Sequence, residues 1–195
     1  MTGRFRRKMG VRRYKRMFVI VAEGTVTEQE YFDLLNDESI VRVRCLRNPR
    51  NLSPRDALER LQNYLCAENL RRTDEAWVVV DRDSWQEEHL LQLQAWSLTH
   101  KSYGFALSNP KFELWLLLHF EDGKGVANGR DCDGRLSKHL PKYNKHIDAR
   151  IFTRERISSA IERARLRDTP PCVDWPRGAG STVYKLVERV LAVGI

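Results

Sequence analysis

The chain has no run of 18 or more uncharged apolar residues, which excludes a hydrophobic helix long enough to cross a bilayer. Its Arg-rich first residues lack the apolar stretch of a secretory signal, so the expected location is the cytoplasm. Cysteine is sparse, with only Cys45, Cys66, Cys132 and Cys172 and no C-x-x-C pair among them. Such a set builds neither a disulfide framework nor a zinc ribbon and is expected as reduced thiols. The five histidines are equally dispersed; His139 and His146 flank a Lys-rich segment without the spacing of zinc ligands. Internal repeats are missing, and residues 1–16 contain no acid at all.

That last absence is the source of the net charge of +8. Eight of the 34 lysines and arginines fall in the first 16 positions, which leaves 26 basic residues against 26 acidic ones in the body of the chain. A basic arm over 1–16 beside a formally neutral body suits attraction to phosphate backbones through counterion release, with Arg12, Arg13, Lys15 and Arg16 as candidate contacts. The alternative for the arm is a segment that only aids solubility. The remainder, 17–195, has the length and apolar content of one domain with a real core.

Two apolar runs end in acids. Phe18 to Ala22 leads into Glu23-Gly24, and Trp77 to Val80 leads into Asp81-Arg82-Asp83. Continuous runs of this length fit strands covered on both faces. Thr27 and Glu30 have the spacing of a capping box that opens a helix. Val41, Val43 and Cys45 alternate with Arg42 and Arg44, the pattern of an edge strand with a basic outer face. Ser53-Pro54 starts a helix with Ala57, Leu61 and Leu65 on one side, and a further helix spans Gln86 to Thr99. A strand over Tyr103 to Leu107 stops at Ser108-Asn109-Pro110, where Asn109 caps a nearly all-apolar helix running to Phe120. Residues 121–150 form a polar insert or long loop, with a short helix near Leu136 to Leu140. Helices over Thr153 to Leu166 and Ser181 to Val193 follow, joined by a Pro- and Gly-rich loop. Alternating strands and helices predict an α/β fold: a mainly parallel sheet flanked by helices, with a C-terminal helical portion.

If the two acid-ended strands are neighbours, Glu23, Asp81 and Asp83 meet at the carboxyl edge of one sheet, an outline suited to Mg²⁺ or Mn²⁺ because hard cations take oxygen ligands. On an extended backbone Asp81 and Asp83 face the same side with Cα atoms about 6.5–7 Å apart. Gly24 permits a sharp turn or a positive φ after the strand. Glu28 complements a helix dipole. Glu113, in the first turns of the apolar helix, either meets that helix N-terminus or reaches the cleft, and Lys111 beside it is placed for a phosphate or for solvent. Trp115 and His119 are expected to pack.

Glu-Gly after one apolar strand and Asp-x-Asp after another resemble the paired motifs of the Toprim domain of topoisomerases, bacterial primases and OLD-type nucleases. More specifically, Val21 to Glu28, Val80 to Asp83, and Ser108 to Phe120 with its Asn-Pro-x-Phe-Glu-x-Trp block resemble the RloB family of bacterial restriction and abortive-infection loci. One departure is Gly178-Ala179-Gly180 before Ser181-Thr182, where the family tends to carry Asn-Pro. The resemblance implies a Toprim-like fold, Mg²⁺ held by Glu23, Asp81 and Asp83, and phosphodiester chemistry. The expected function is therefore a metal-dependent nuclease in anti-phage defence, with Glu23, Asp81, Asp83, Glu113 and Lys111 as catalytic candidates. Nucleic acid would lie along the arm and the Arg42/Arg44 face, with a second defence protein as a candidate partner. The competing expectation is a non-catalytic nucleic-acid-binding or regulatory subunit.

Overall fold

The two apolar runs that end in acids are neighbouring parallel strands, as a computed structural model of the chain shows for residues 16–37, 39–46, 54–68, 70–83 and 85–194. Arg12, Arg13, Lys15 and the helix-start Ser53 lie outside the described residues. The strands are β1 (Arg16–Ala22), β2 (Val41–Cys45), β3 (Glu75–Asp81), β4 (Tyr103–Asn109) and β5 (Gly180–Ser181), in the spatial order β2-β1-β3-β4-β5. The first four run parallel, and β5 closes the β4 edge antiparallel. The helices are α1 (Thr27–Asp33), α2 (Pro54–Ala67), α3 (Glu87–Leu98), α4 (Phe112–Leu117), α5 (Gly129–His139), α6 (Arg154–Arg167) and α7 (Val183–Leu191). This is a mostly parallel α/β sheet flanked by helices, consistent with a Toprim-like fold.

Period-two alternation divides the central strands between two cores. Phe18, Ile20, Trp77 and Val79 face α1, α4, α5, α6 and α7. Val19, Val21, Val78 and Val80 face α2 and α3. Because both faces are covered, β1 and β3 are apolar at nearly every position rather than alternating with polar residues. Gly104 sits opposite Trp77 on β4, and a Cβ there would stand 2.4 Å from the indole, so the ring lies flat across the neighbouring strand only because position 104 has no side chain.

Several expected local features take different forms. The capping box is not made: Val26 occupies the N-cap position without a side-chain bond. Thr27 Oγ1 instead donates to Lys145 O at 2.7 Å, while Glu30 accepts from Ile147 N at 2.6 Å and pairs with His146 Nδ1 at 2.7 Å. Tertiary contacts to residues 143–147 have outcompeted the local cap. Asn109 does not cap α4 either. It is the last residue of β4, its Nδ2 donates to Pro176 O at 3.0 Å, and Lys111 stands at the N-cap position of a helix that ends at Leu117.

The polar segment after 121 contains a full helix, α5, rather than a short one near 136–140. Asn128 caps it by accepting from Asp131 N at 3.0 Å, and Cys132 and Leu136, one turn apart, are buried in the same core as α4. Two glycines and a mostly polar composition hid it. The Pro- and Gly-rich link before α7 also carries structure. Trp175 is buried against Phe105 on the α2/α3 side, with ring centroids 6.1 Å apart, and Ser181 Oγ lies 2.9 Å from Ser108 Oγ.

At the end of the sheet opposite the acids, the buried Glu75 carboxylate gathers three donors. Arg189 Nε reaches its two oxygens at 2.9 and 2.7 Å, Trp77 Nε1 donates at 2.9 Å, and Arg16 completes the set. This ties the start of β1 to α7 across the sheet. Replacing Glu75 by Gln leaves two cations beside a neutral group, but both reach solvent, with side chains 31% and 47% exposed. The loss should be about 2 kcal/mol, below that of a fully buried pair. Urea denaturation of Glu75→Gln should show a lower midpoint with an unchanged m-value.

Candidate functional site

Because β1 and β3 end side by side, the residues that follow them are delivered to one edge. Glu23 N donates to Val79 O at 3.1 Å, which carries the ladder one residue past β1. The Glu23 carboxylate then turns across to β3, where Oε2 accepts from Asp81 N at 3.2 Å and from Trp85 Nε1 at 2.6 Å. Two N–H donors thus fix an acid that is 58 positions from one of them in sequence.

A cavity of about 310 Å³ opens at this edge, and its walls include Glu23, Glu28, Asp81, Glu113, Thr27 and Lys145. Glu28 comes from the first turn of α1 and Glu113 from the first turn of α4, and both are buried. Gly24 makes room for this arrangement. A Cβ on it would stand 1.8 Å from Glu28 Oε2. Its part is close approach rather than the positive φ that a turn would need, since the described glycines with positive φ are Gly123 and Gly125.

Four carboxylates around one cavity repel one another. Burial pushes Asp81 well above the usual carboxylate range, and the charges of Glu28, Glu23, Glu113 and Asp83 push it further. Burial likewise raises Glu28 to about 7; a backbone hydrogen bond eases this, and the Glu113 and Glu23 charges add to it. Glu113 behaves oppositely. Burial would raise it, but the hydrogen bond and charge of Lys145 and the charge of Lys111 outweigh that and hold it below its ordinary value. Tyr143 also donates its hydroxyl to Glu113 Oε1 at 3.0 Å.

The residues singled out in the sequence separate into three groups. Glu23, Asp81 and Glu113 line the cavity, and Glu113 reaches the cleft rather than merely meeting its own helix N-terminus. Asp83 does not share the Asp81 side of an extended strand, because β3 stops at Asp81. The amides of Arg82 and Asp83 both donate to Pro110 O at 3.1 Å and bend the chain away. Asp83 is exposed outside the cavity wall, near Lys111, and acts on Asp81 through its charge. Lys111 pairs with Asp133 at 2.8 Å and stands 3.9 Å from Glu113. Arg42 and Arg44 are exposed on the edge strand β2, with the Arg44 guanidinium 5.0 Å from the Tyr64 ring centroid. Arg16 is engaged with Glu75 at the far end of the sheet.

Glu28 lines the cavity in addition to the helix-dipole role expected of it, and Lys145 and Tyr143 join the site without a motif that marks them in the sequence. Glu28 follows the Glu23 motif closely enough to have been grouped with it. The other two lie in a polar segment with no periodic signal. Trp115 and His119 pack as expected, and burial pushes His119 down to about 4, so the imidazole is neutral and hydrogen-bonded to Tyr31 and the Trp115 carbonyl.

As a metal site the cavity offers hard oxygen donors with an excess of negative charge, which suits Mg²⁺ or Mn²⁺ and not a soft metal. Among the described residues, however, no group of three or more His, Cys, Asp or Glu side chains stands ready-arranged to hold a metal ion. The fit is one of charge and donor type, and closing on a cation would require carboxylate rotations. No described helix is long and apolar enough to cross a membrane.

The family model described as RloB-like protein matches residues 18–190, nearly the whole chain, and the chain belongs to that family. No curated protein and no solved structure matches it.

The raised Glu28 carboxyl carries a sign. A folded-state value of about 7 against 4.5 in the unfolded chain means that the native state holds the proton more tightly, so stability falls as pH rises from about 4.5 to 7. Glu28→Gln removes this penalty. Without added metal, its melting temperature should match wild type near pH 4.5 and exceed it at pH 8, by an amount equivalent to at most about 3 kcal/mol.

Proposed function

We propose that this RloB-like protein is a metal-dependent nuclease that cleaves phosphodiester bonds of DNA or RNA with Mg²⁺ or Mn²⁺, acting in bacterial defence against phage. The observation that carries this reading is the excess of negative charge in the cavity, four carboxylates against the ammonium of Lys145, where Asp81 and Glu28 are both driven toward protonation at the carboxyl edge of a parallel sheet. Open α/β sheets place their ligands at that edge. A cluster that repels itself when empty is a good receptor for a dication, and the gain in charge balance favours binding over the empty state.

In this reading Glu23 and Asp81 hold the metal, with Glu28 and Asp83 adding attraction. A bound dication supplies Lewis acidity at the scissile phosphate and charge stabilisation at the leaving oxygen. Trp85 and the Asp81 amide orient the Glu23 carboxylate at the cavity wall. Lys145, in a left-handed backbone conformation with φ 77° and tethered through its carbonyl to Thr27, brings an ammonium to the same space, where it can exchange Glu113 for a substrate phosphate. The basic arm and the exposed Arg42 and Arg44 supply sequence-independent contacts to the strand.

The second reading is a non-catalytic nucleic-acid-binding or regulatory subunit of a defence system. What favours it is the Lys145–Glu113 ion pair, which already brings one cation to the cavity. The two readings separate in one assay. Purified wild type and Glu23→Gln are incubated with DNA, RNA and tRNA in Mn²⁺; cleavage by wild type that falls at least a hundredfold in the variant is expected, and cleavage that survives the change removes Glu23 from the mechanism. Calorimetry with Mn²⁺ should show uptake by wild type that Asp81→Asn weakens at least tenfold. Because the Glu28 carboxyl is raised to about 7, the binding heat at pH 7 should vary with the ionisation enthalpy of the buffer, as proton release from Glu28 requires.

A further inference from the structure

A second cavity, of about 280 Å³, lies on the other side of the segment that walls the acids. Leu140, Ile151 and Phe152 give it apolar surface, Tyr143 contributes an aromatic ring, and His139 and His146 stand at its polar border. Tyr143 belongs to both places. It lines this second cavity, while its hydroxyl reaches Glu113 Oε1 and Thr27 Oγ1, each at 3.0 Å, in the wall of the first. The separation between an aromatic-lined apolar pocket and the acids is therefore the length of one tyrosine side chain.

The second cavity is rigidly backed. Phe152 packs edge-on against Tyr31, His119 and Phe120, and all of these belong to the core or pack against it. The rim is held by hydrogen bonds, His146 Nδ1 with Glu30 and His139 Nε2 with Glu121, while the one acid among its lining residues, Asp148, is paired with Arg150. A pocket with apolar and aromatic walls, the cationic Lys142 among its lining residues and a phosphate-processing candidate next door has the attributes of a base site.

Resting on the nuclease reading, we infer that this cavity receives an unpaired nucleobase of the strand whose phosphodiester lies against Glu23 and Asp81, so that the substrate is single-stranded or locally unpaired nucleic acid. A base in a duplex is stacked on both sides and cannot enter a walled pocket without leaving the helix. Tyr143 then couples base seating to the acid cavity through its bond to Glu113.

The test uses short fluorescent single-stranded DNA and RNA with Ca²⁺ in place of Mg²⁺ to suppress cleavage. An abasic site is moved through each position in turn. One position should lose affinity about tenfold, a loss on the scale of one stacked base, and the duplex should bind more weakly than the single strand. Ile151→Trp, which fills the cavity, should bind the intact strand about as weakly as wild type binds the sensitive abasic strand, and should be indifferent to that abasic site. Uniform affinity across the wild-type abasic series overturns the inference and needs no variant to fold. Adenosine monophosphate bound as tightly as the strand also overturns it, by assigning the cavity to a free nucleotide. Mn²⁺ uptake measured on the same protein keeps the two claims apart: uptake with no abasic effect removes the base site alone, whereas an abasic effect without uptake keeps the base site and removes the nuclease.

Discussion

Everything at the candidate site depends on the parallel pairing of β1 with β3. Only because Ala22 lies opposite Val79 do the next residues of both strands emerge at the same edge, where Glu23 Oε2 can accept from the Asp81 amide. That pairing is secured on both faces by apolar side chains that a one-residue slip would turn the wrong way. At its far end it is tied by Glu75, which draws Arg16 of β1 and Arg189 of α7 onto a buried carboxylate of β3. Charge at one end of the sheet is balanced, and at the other acids outnumber the cations beside them. The contrast is informative because both sets are largely enclosed: Glu75 has three donors, while Asp81 and Glu28 have chiefly other acids for company.

The second constraint is the clamp over residues 143–147. Thr27 and Glu30 forgo a helix cap to hold this segment, and in doing so they place Lys145 and Tyr143 against Glu113. Losing a cap costs about 1 kcal/mol, and in its place stand four side-chain hydrogen bonds to a segment more than a hundred positions away in sequence. The same clamp forms the partition between the acid cavity and the aromatic one, so an element invisible in the hydrophobic pattern organises both.

Much of the fold was legible. Uninterrupted apolar runs marked β1 and β3, alternation marked the basic edge strand β2, and helical spacing marked α2, α3, α6 and α7 within a residue or two. The misses have physical causes. Thr27-x-x-Glu30 and Asn109-Pro110 are local signals that tertiary bonds outcompeted. Helix α5 buries only Cys132 and Leu136 along most of its length and carries two glycines, so its period is nearly silent. At the site, Glu23 and Asp81 were legible because each ends an apolar strand. Asp83 was misplaced by assuming that β3 continues past Asp81, when Pro110 O draws two successive amides into a bend. Glu28 was legible only through its closeness to the Glu23-Gly24 motif, and Lys145 not at all, because its place depends on a loop conformation that leaves no periodic trace.

The most direct test is a crystal of the protein soaked in Mn²⁺, with anomalous scattering used to locate the ion. The charge imbalance of the acid cavity predicts one strong peak inside its 310 Å³, within bonding distance of oxygens from both Glu23 and Asp81. A well-diffracting soak with no peak there, or with manganese bound only elsewhere on the surface, would contradict it.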